Sequence, residues 1–149
     1  ALYYSFNLKH ITSILIRHLF TPSNFFSPIR KMSAALDNLT IVEIEPSGVF
    51  KYILIHVHDK TLPTPEPVTI VRGIQLSYHS DIYDVVQEKL QPLDCEPIGG
   101  GRISHDPENK KIFIYGYSQS YGRADHELTA KLIKKAYPQY SISITDDEY

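Results

Sequence analysis

His79, Arg102 and Lys51 are the side chains around which chemistry could be built in this chain. His79 stands just before a helix whose N-cap is expected at Ser80 or Asp81. A helix N-terminus presents free N–H groups and a partial positive charge, so it draws anions, and an imidazole beside it suits general-base or nucleophile work. By itself a histidine in a capping region is ordinarily structural. The run Gly99-Gly100-Gly101-Arg102 is a second signal. Successive glycines let backbone amides come close to a ligand, and the arginine can grip a phosphate with two parallel hydrogen bonds. No Gly-Lys-Ser/Thr follows, so it is not a nucleotide P-loop; taken alone the run reads equally as a tight turn or a bulge. Ser118-Gln119-Ser120-Tyr121-Gly122 offers hydroxyls and amides ahead of a second helix, with His126 in that helix's first turn. Lys51, Arg72 and Arg102 are cations at strand ends. These groups together make a phosphate site that needs neither metal nor cofactor: cations for charge, amides for geometry, one histidine for chemistry.

Two other chemistries are weighed against this one. His56 and His58 alternate on one strand face, a spacing that can ligate a metal. No neighbouring Cys, His or carboxylate cluster supports them in the sequence, so they read as ordinary strand histidines and no metal is expected. Lys110 to Tyr117 carries strand aromatics that could stack on bases. It lacks the glycine between basic and aromatic residues of the RNA-recognition strand, and no nucleic acid is expected as a partner.

The elements that must hold these residues follow from periodicity. Ile41–Ile44 reads as a short strand and Pro46-Ser47-Gly48 as a turn. Phe50 to Val57 is apolar on both faces, the mark of a central strand covered on both sides. Lys51 shares a face with Ile53, Ile55 and Val57, an odd place for a solvated lysine. A Pro-rich loop at 59–67 leads to a strand at Val68–Arg72, stopped by Gly73. Ile82, Val85, Val86 and Leu90 then form a helical stripe closed by Pro92. A strand follows the glycines, Lys111–Tyr117 alternates as another, and Asp125–Ala136 is an amphipathic helix with lysines near its C-terminal end. Ser141–Thr145 is the last strand. The order β-β-β-α-β-β-α-β predicts an α+β sandwich built on one sheet.

The 149 residues, 42% apolar and 21% charged, fit one globular domain and exclude wholesale disorder. No apolar run approaches the ~18 residues of a membrane span. The lone Cys95 cannot form an internal disulfide and suits a reducing compartment. The net charge of −2 hides an asymmetry. Residues 1–36 carry four basic and no acidic residues; all 17 acidic residues lie at or after Asp37. Residues 1–31 have the Ser, Thr, Phe and Leu content of a mitochondrial presequence, with only a partial helical period. Met32-Ser33-Ala34-Ala35 would also serve as the start of a cytosolic protein. The division expected is a basic N-terminal extension at 1–36, flexible or targeting, and a folded domain at 37–149. The location expected is cytoplasmic, or mitochondrial if residues 1–31 act as a presequence.

Several motifs in one order resemble a known family, the phosphohistidine phosphatases, which include the insect Janus proteins. They are Gly48-Val49-Phe50-Lys51-Tyr52, Val71-Arg72-Gly73, Tyr78-His79-Ser80-Asp81-Ile82-Tyr83-Asp84, Gly99-Gly100-Gly101-Arg102-Ile103-Ser104-His105, and Tyr115-Gly116-Tyr117-Ser118 through Tyr121-Gly122 to Ala124-Asp125-His126. Tyr137-Pro138-Gln139-Tyr140 and the acidic, Tyr-ending tail fit as well, so the resemblance covers residues 39–149. Gln119 and Ala124-Asp125-His126 look most like the Janus-A branch. The departures are Ser80 in place of an expected Ala, an interval from Arg72 to His79 one residue short, and an unmatched loop at 59–67. The resemblance implies a mixed six-stranded sheet with one helix on each face. It implies metal-independent hydrolysis of the P–N bond of phosphohistidine in partner proteins, by a monomer, and an association with insect sexual differentiation. Carried over by motif, His79 is the catalytic base and Lys51 binds substrate. Arg102, Ser118 and the amides near Gln119 and Ser120 hold the phosphate, and Arg72 is a further candidate. Whether the histidine activates water or is itself transiently phosphorylated stays open.

Overall fold

The structure is a computed structural model that describes residues 33–64 and 66–147; the extension reading of residues 1–31 lies outside them. The elements run α1 (Ala34–Asp37), β1 (Val42–Ile44), β2 (Gly48–His58), β3 (Val68–Ile74), α2 (His79–Leu90), β4 (Asp94–Asp106), β5 (Lys111–Tyr115), α3 (His126–Ala136) and β6 (Ser141–Ile144). The six strands form one mixed sheet in the order β1-β3-β2-β4-β5-β6. The β1/β3 and β5/β6 pairs are parallel and the other three antiparallel.

The doubly apolar strand lies at the centre, as its pattern requires. Ile53, Ile55 and Val57 of β2 pack with Ile70, Ile82 and Val86 under α2. Phe50, Tyr52 and Leu54, on the alternate face, pack with Ile103, Ile112, Ile114 and Ile133 under α3. Each helix therefore covers one face, the α+β arrangement expected. At about 1.5–3 kcal/mol for each fully buried aliphatic side chain, these two layers supply the main favourable term in folding.

Local differences from the sequence reading have physical causes. The turn α1 was not foreseen; Ser33 Oγ caps it by accepting from the Leu36 amide at 3.3 Å, and Leu36 is 2% exposed in the core under α2. The expected boundary at Asp37 thus falls inside an element whose side chain is part of the core. Strand β3 does not stop at Gly73 but runs through it. A Cβ there would lie 2.7 Å from the Phe50 ring, so this glycine makes room rather than a turn. Helix α2 starts at His79, earlier than the Ser80 or Asp81 cap. Tyr78 holds the cap position, and Asp81 serves from inside the first turn by accepting from the Tyr78 amide at 3.1 Å. Val85 belongs to the predicted apolar stripe yet is 48% exposed; Ile82 and Val86 alone turn inward at that level of the helix.

Candidate active site

Pairing of β2 with β4 places Lys51 directly across from Arg102. Residues opposite each other in a ladder share a face, so both cations stand on the α2 side, at the end of the apolar row Ile53, Ile55 and Val57. Here the sheet runs beyond the cover of the helix, and a cavity of about 280 Å³ opens. Ser77, Tyr78 and His79 reach it from the start of α2, and Tyr117, Gln119 and Ser120 from the loop after β5. Lys51 and Arg102 are the charged side chains that line it, and no carboxylate stands among its lining residues. The cavity therefore favours an anion.

His79 is buried, and its ring Nε2 lies 3.0 Å from the Gly101 carbonyl oxygen. A carbonyl only accepts, so the neutral ring donates from Nε2 and keeps its lone pair on Nδ1. Burial is the largest influence on this group and lowers its pKa from the ordinary histidine value; the charges of Lys51 and Arg102 lower it further, against the Gly101 hydrogen bond, which raises it. The ring is thus held neutral beside two cations.

The glycine run has a different job from the one its sequence suggests. Gly99, Gly100 and Gly101 lie inside β4, and the Gly100 amide donates to the Gly122 carbonyl at 3.0 Å, so that amide is not offered to a ligand. What matters is the missing side chains. A Cβ on Gly100 would lie 2.9 Å from His79 Cδ2 and 3.0 Å from Ser118 Cβ. A Cβ on Gly101, facing the other way, would lie 3.0 Å from His126 Cε1. The two glycines make room for two histidines on opposite faces of the sheet.

His126 is spent on architecture. Its Nε2 donates to the Gly116 carbonyl at 3.0 Å, and its Nδ1 accepts from the Tyr52 hydroxyl at 2.7 Å. The loop Ser118–Gly122 is a closed turn. The Ser118 amide donates to the Gly122 carbonyl, the Gly122 amide returns to the Ser118 carbonyl at 2.8 Å, and Ser118 Oγ accepts from the Tyr121 amide at 3.1 Å. Among the described residues, no hydrogen bond uses the Gln119 or Ser120 amides, and both residues are exposed at the cavity.

The structure therefore brings Lys51, His79, Arg102, Gln119 and Ser120 to one cavity. Ser118 is 1% exposed and lies behind it, its hydroxyl committed to shaping the loop. Arg72 is not brought there. Its guanidinium is buried beside β1, donating to the Thr40 and Ile41 carbonyls at 2.7 and 3.2 Å and pairing with Glu43 at 3.3 Å. Ser77, Tyr78 and Tyr117 line the cavity without having been singled out by their chemistry; adjacency to His79 and Ser118 was the signal that could have found them.

Fold and cavity together define the class: an α+β domain with a cationic, carboxylate-free pocket served by one buried neutral histidine. The Janus/Ocnus family model matches residues 36–141. The chain is 50% identical over 126 residues to the 14 kDa phosphohistidine phosphatase of Sus scrofa, covering 79% of this chain and all of that one. It is 46% identical over 114 residues to the Homo sapiens protein of the same name, covering 72% and 91%. It is 40% identical over 125 residues to the sex-regulated protein janus-A of Drosophila melanogaster, covering 81% and 90%. The chain belongs to the Janus/Ocnus family.

Proposed function

We propose that this protein is a protein-histidine phosphatase that hydrolyses the P–N bond of phosphohistidine in partner proteins. The observation that carries the reading is the convergence of Lys51, Arg102, the uncommitted Gln119 and Ser120 amides and a neutral His79 on one cavity. The names of the two mammalian relatives, at 46–50% identity, support it.

In this mechanism Lys51, Arg102 and the two amides bind the phosphoryl oxygens and stabilise the charge that grows on them during attack. His79 Nδ1 takes a proton from water as the water oxygen bonds to phosphorus. The P–N bond breaks, its electron pair returns to the substrate imidazole, and that nitrogen is protonated from solvent. Ser118 contributes by holding the loop that aims the amides. General-base help of this kind is worth about 10²–10⁴-fold. We place the protein in the cytoplasm, a reducing compartment that suits its lone buried Cys95.

The test is hydrolysis of a phosphohistidine peptide by the full chain in the presence of chelator. His79→Asn is expected to lose at least about 10²-fold in kcat, and Lys51→Ala to raise KM more than it lowers kcat. Activity that survives His79→Asn would sink the base assignment. A phosphorylated His79 trapped by rapid quench would replace the base with a nucleophile. Tight binding of the peptide without turnover would leave a phosphate-binding regulator.

A further inference from the structure

The sheet carries a second cluster of ligating side chains, five residues along the β2/β4 pair from Lys51 and Arg102 and on the opposite face. In the sequence His56 and His58 lack a third partner. The ladder supplies one: His56 stands directly across from Glu96. This juxtaposition depends on an irregularity. The register shifts between Leu54, which faces Gly99, and Ile55, which faces Pro97, so β4 holds one extra residue at Ile98. But for this bulge, Ile98 would oppose Ile55, Pro97 would oppose His56 and Glu96 would turn to the other face. With it, two imidazoles and a carboxylate share one surface, and their ligand atoms all lie within 4.8 Å of one another.

We propose that His56, His58 and Glu96 bind a divalent transition ion of the zinc type. His58 Nε2 and Glu96 Oε2 lie 3.4 Å apart. Bonds of about 2.0–2.1 Å at the tetrahedral angle put two ligands of zinc about 3.3 Å apart, so this pair already has the required separation. All three ligand atoms lie within 4.8 Å of one another, so the gap left to His56 closes by rotation of its own half-buried ring about the side-chain bonds. Imidazole and carboxylate together suit zinc, and three protein ligands leave the fourth position to water. Beside the cluster Asp94 faces His58 across the ladder and is paired with Lys60 at 3.0 Å, so its charge and the lysine's offset each other. A bound ion would clip β2 to β4 at the end of the pair away from the anion cavity.

The full 149-residue chain is titrated with Zn²⁺ by calorimetry, and with Co²⁺ by visible absorption, which reports a tetrahedral field. One saturable site is expected, with a rise in melting temperature on adding Zn²⁺. Changes outside the ligand set alone cost about 10–100-fold in affinity, so Glu96→Gln and His56→Asn should each weaken this site by at least about tenfold and abolish the Co²⁺ band. Glu96 is exposed, so Glu96→Gln is expected to keep the metal-free melting temperature and separates loss of a ligand from loss of the fold. Absence of saturable binding overturns the proposal. So does binding that either variant leaves unchanged, because the ion is then held elsewhere or by fewer ligands.

Discussion

The proton on His79 is placed by the backbone. The Gly101 carbonyl, 3.0 Å from Nε2, fixes the tautomer, and burial with Lys51 and Arg102 keeps the ring neutral. A base is useful only when unprotonated, so a lowered pKa extends activity toward acid. The acid limb of kcat/KM for phosphohistidine hydrolysis, corrected for spontaneous P–N cleavage, is expected below the ordinary histidine value of about 6.5. In Lys51→Met, one of the charges that lowers the pKa is gone, and the limb of the residual activity should move toward higher pH. A limb that stays put would separate Lys51 from the titration of His79. Residue type and order made His79, Lys51 and Arg102 legible in the sequence. Arg72 shows what they could not reveal. Its partners Thr40, Ile41 and Glu43 lie just before and within β1, which reaches it only through a parallel pairing that spacing does not encode.

At the scale of the element, the central pair β2/β4 positions both the cations and the histidine. The position of β2 was legible because an apolar residue on each face can be buried only between two layers. The strand through 99–101 was not, because three glycines carry no alternation to read. Their meaning appears only when two helices dock from opposite sides, and it separates two substitutions that look alike. In Gly100→Ala the new methyl would meet the Tyr52 carbonyl at 2.8 Å, His79 at 2.9 Å and Ser118 at 3.0 Å, displacing the base and the loop behind the cavity. In Gly101→Ala it would meet the Tyr115 carbonyl at 2.7 Å, with His126 and the Tyr52 ring at 3.0 Å. Overpacking of this kind costs about 1–3 kcal/mol. Both variants should therefore melt lower. Gly100→Ala, whose methyl meets His79 itself, should also lose more kcat in its folded fraction than Gly101→Ala, whose methyl meets the other face. Equal kcat losses per folded molecule would show that the two faces of the sheet are not independent.

Across the whole molecule, two buried histidines, His79 on one face of the sheet and His126 on the other, are both held neutral. Burial is the largest influence lowering the pKa of His126, as it is for His79; for His126 the Gly116 hydrogen bond works against it. In the unfolded chain both return to about 6.5. Between the folded and unfolded values the unfolded state binds more protons, so stability rises with pH there and is lost as pH falls below about 6.5. The loss levels off once pH is under the folded values, where both states are protonated. A second, separate loss belongs to Asp59 and Asp106, whose carboxyls are held below the usual range by hydrogen bonds, to Ser33 first and then Thr61 for Asp59 and chiefly to Asn109 for Asp106. That loss begins only in the carboxylate range, near and below 3.8. Urea unfolding followed across pH should therefore show two descents with a flatter region between them. His126→Asn should remove part of the first descent and none of the second, because it deletes one of these two histidine contributions and leaves Asp59 and Asp106 alone. Stability that stays flat from pH 7 down to the carboxylate range would mean that the rings charge in place, and with that the neutral state assigned to His79 in the cavity would fail too.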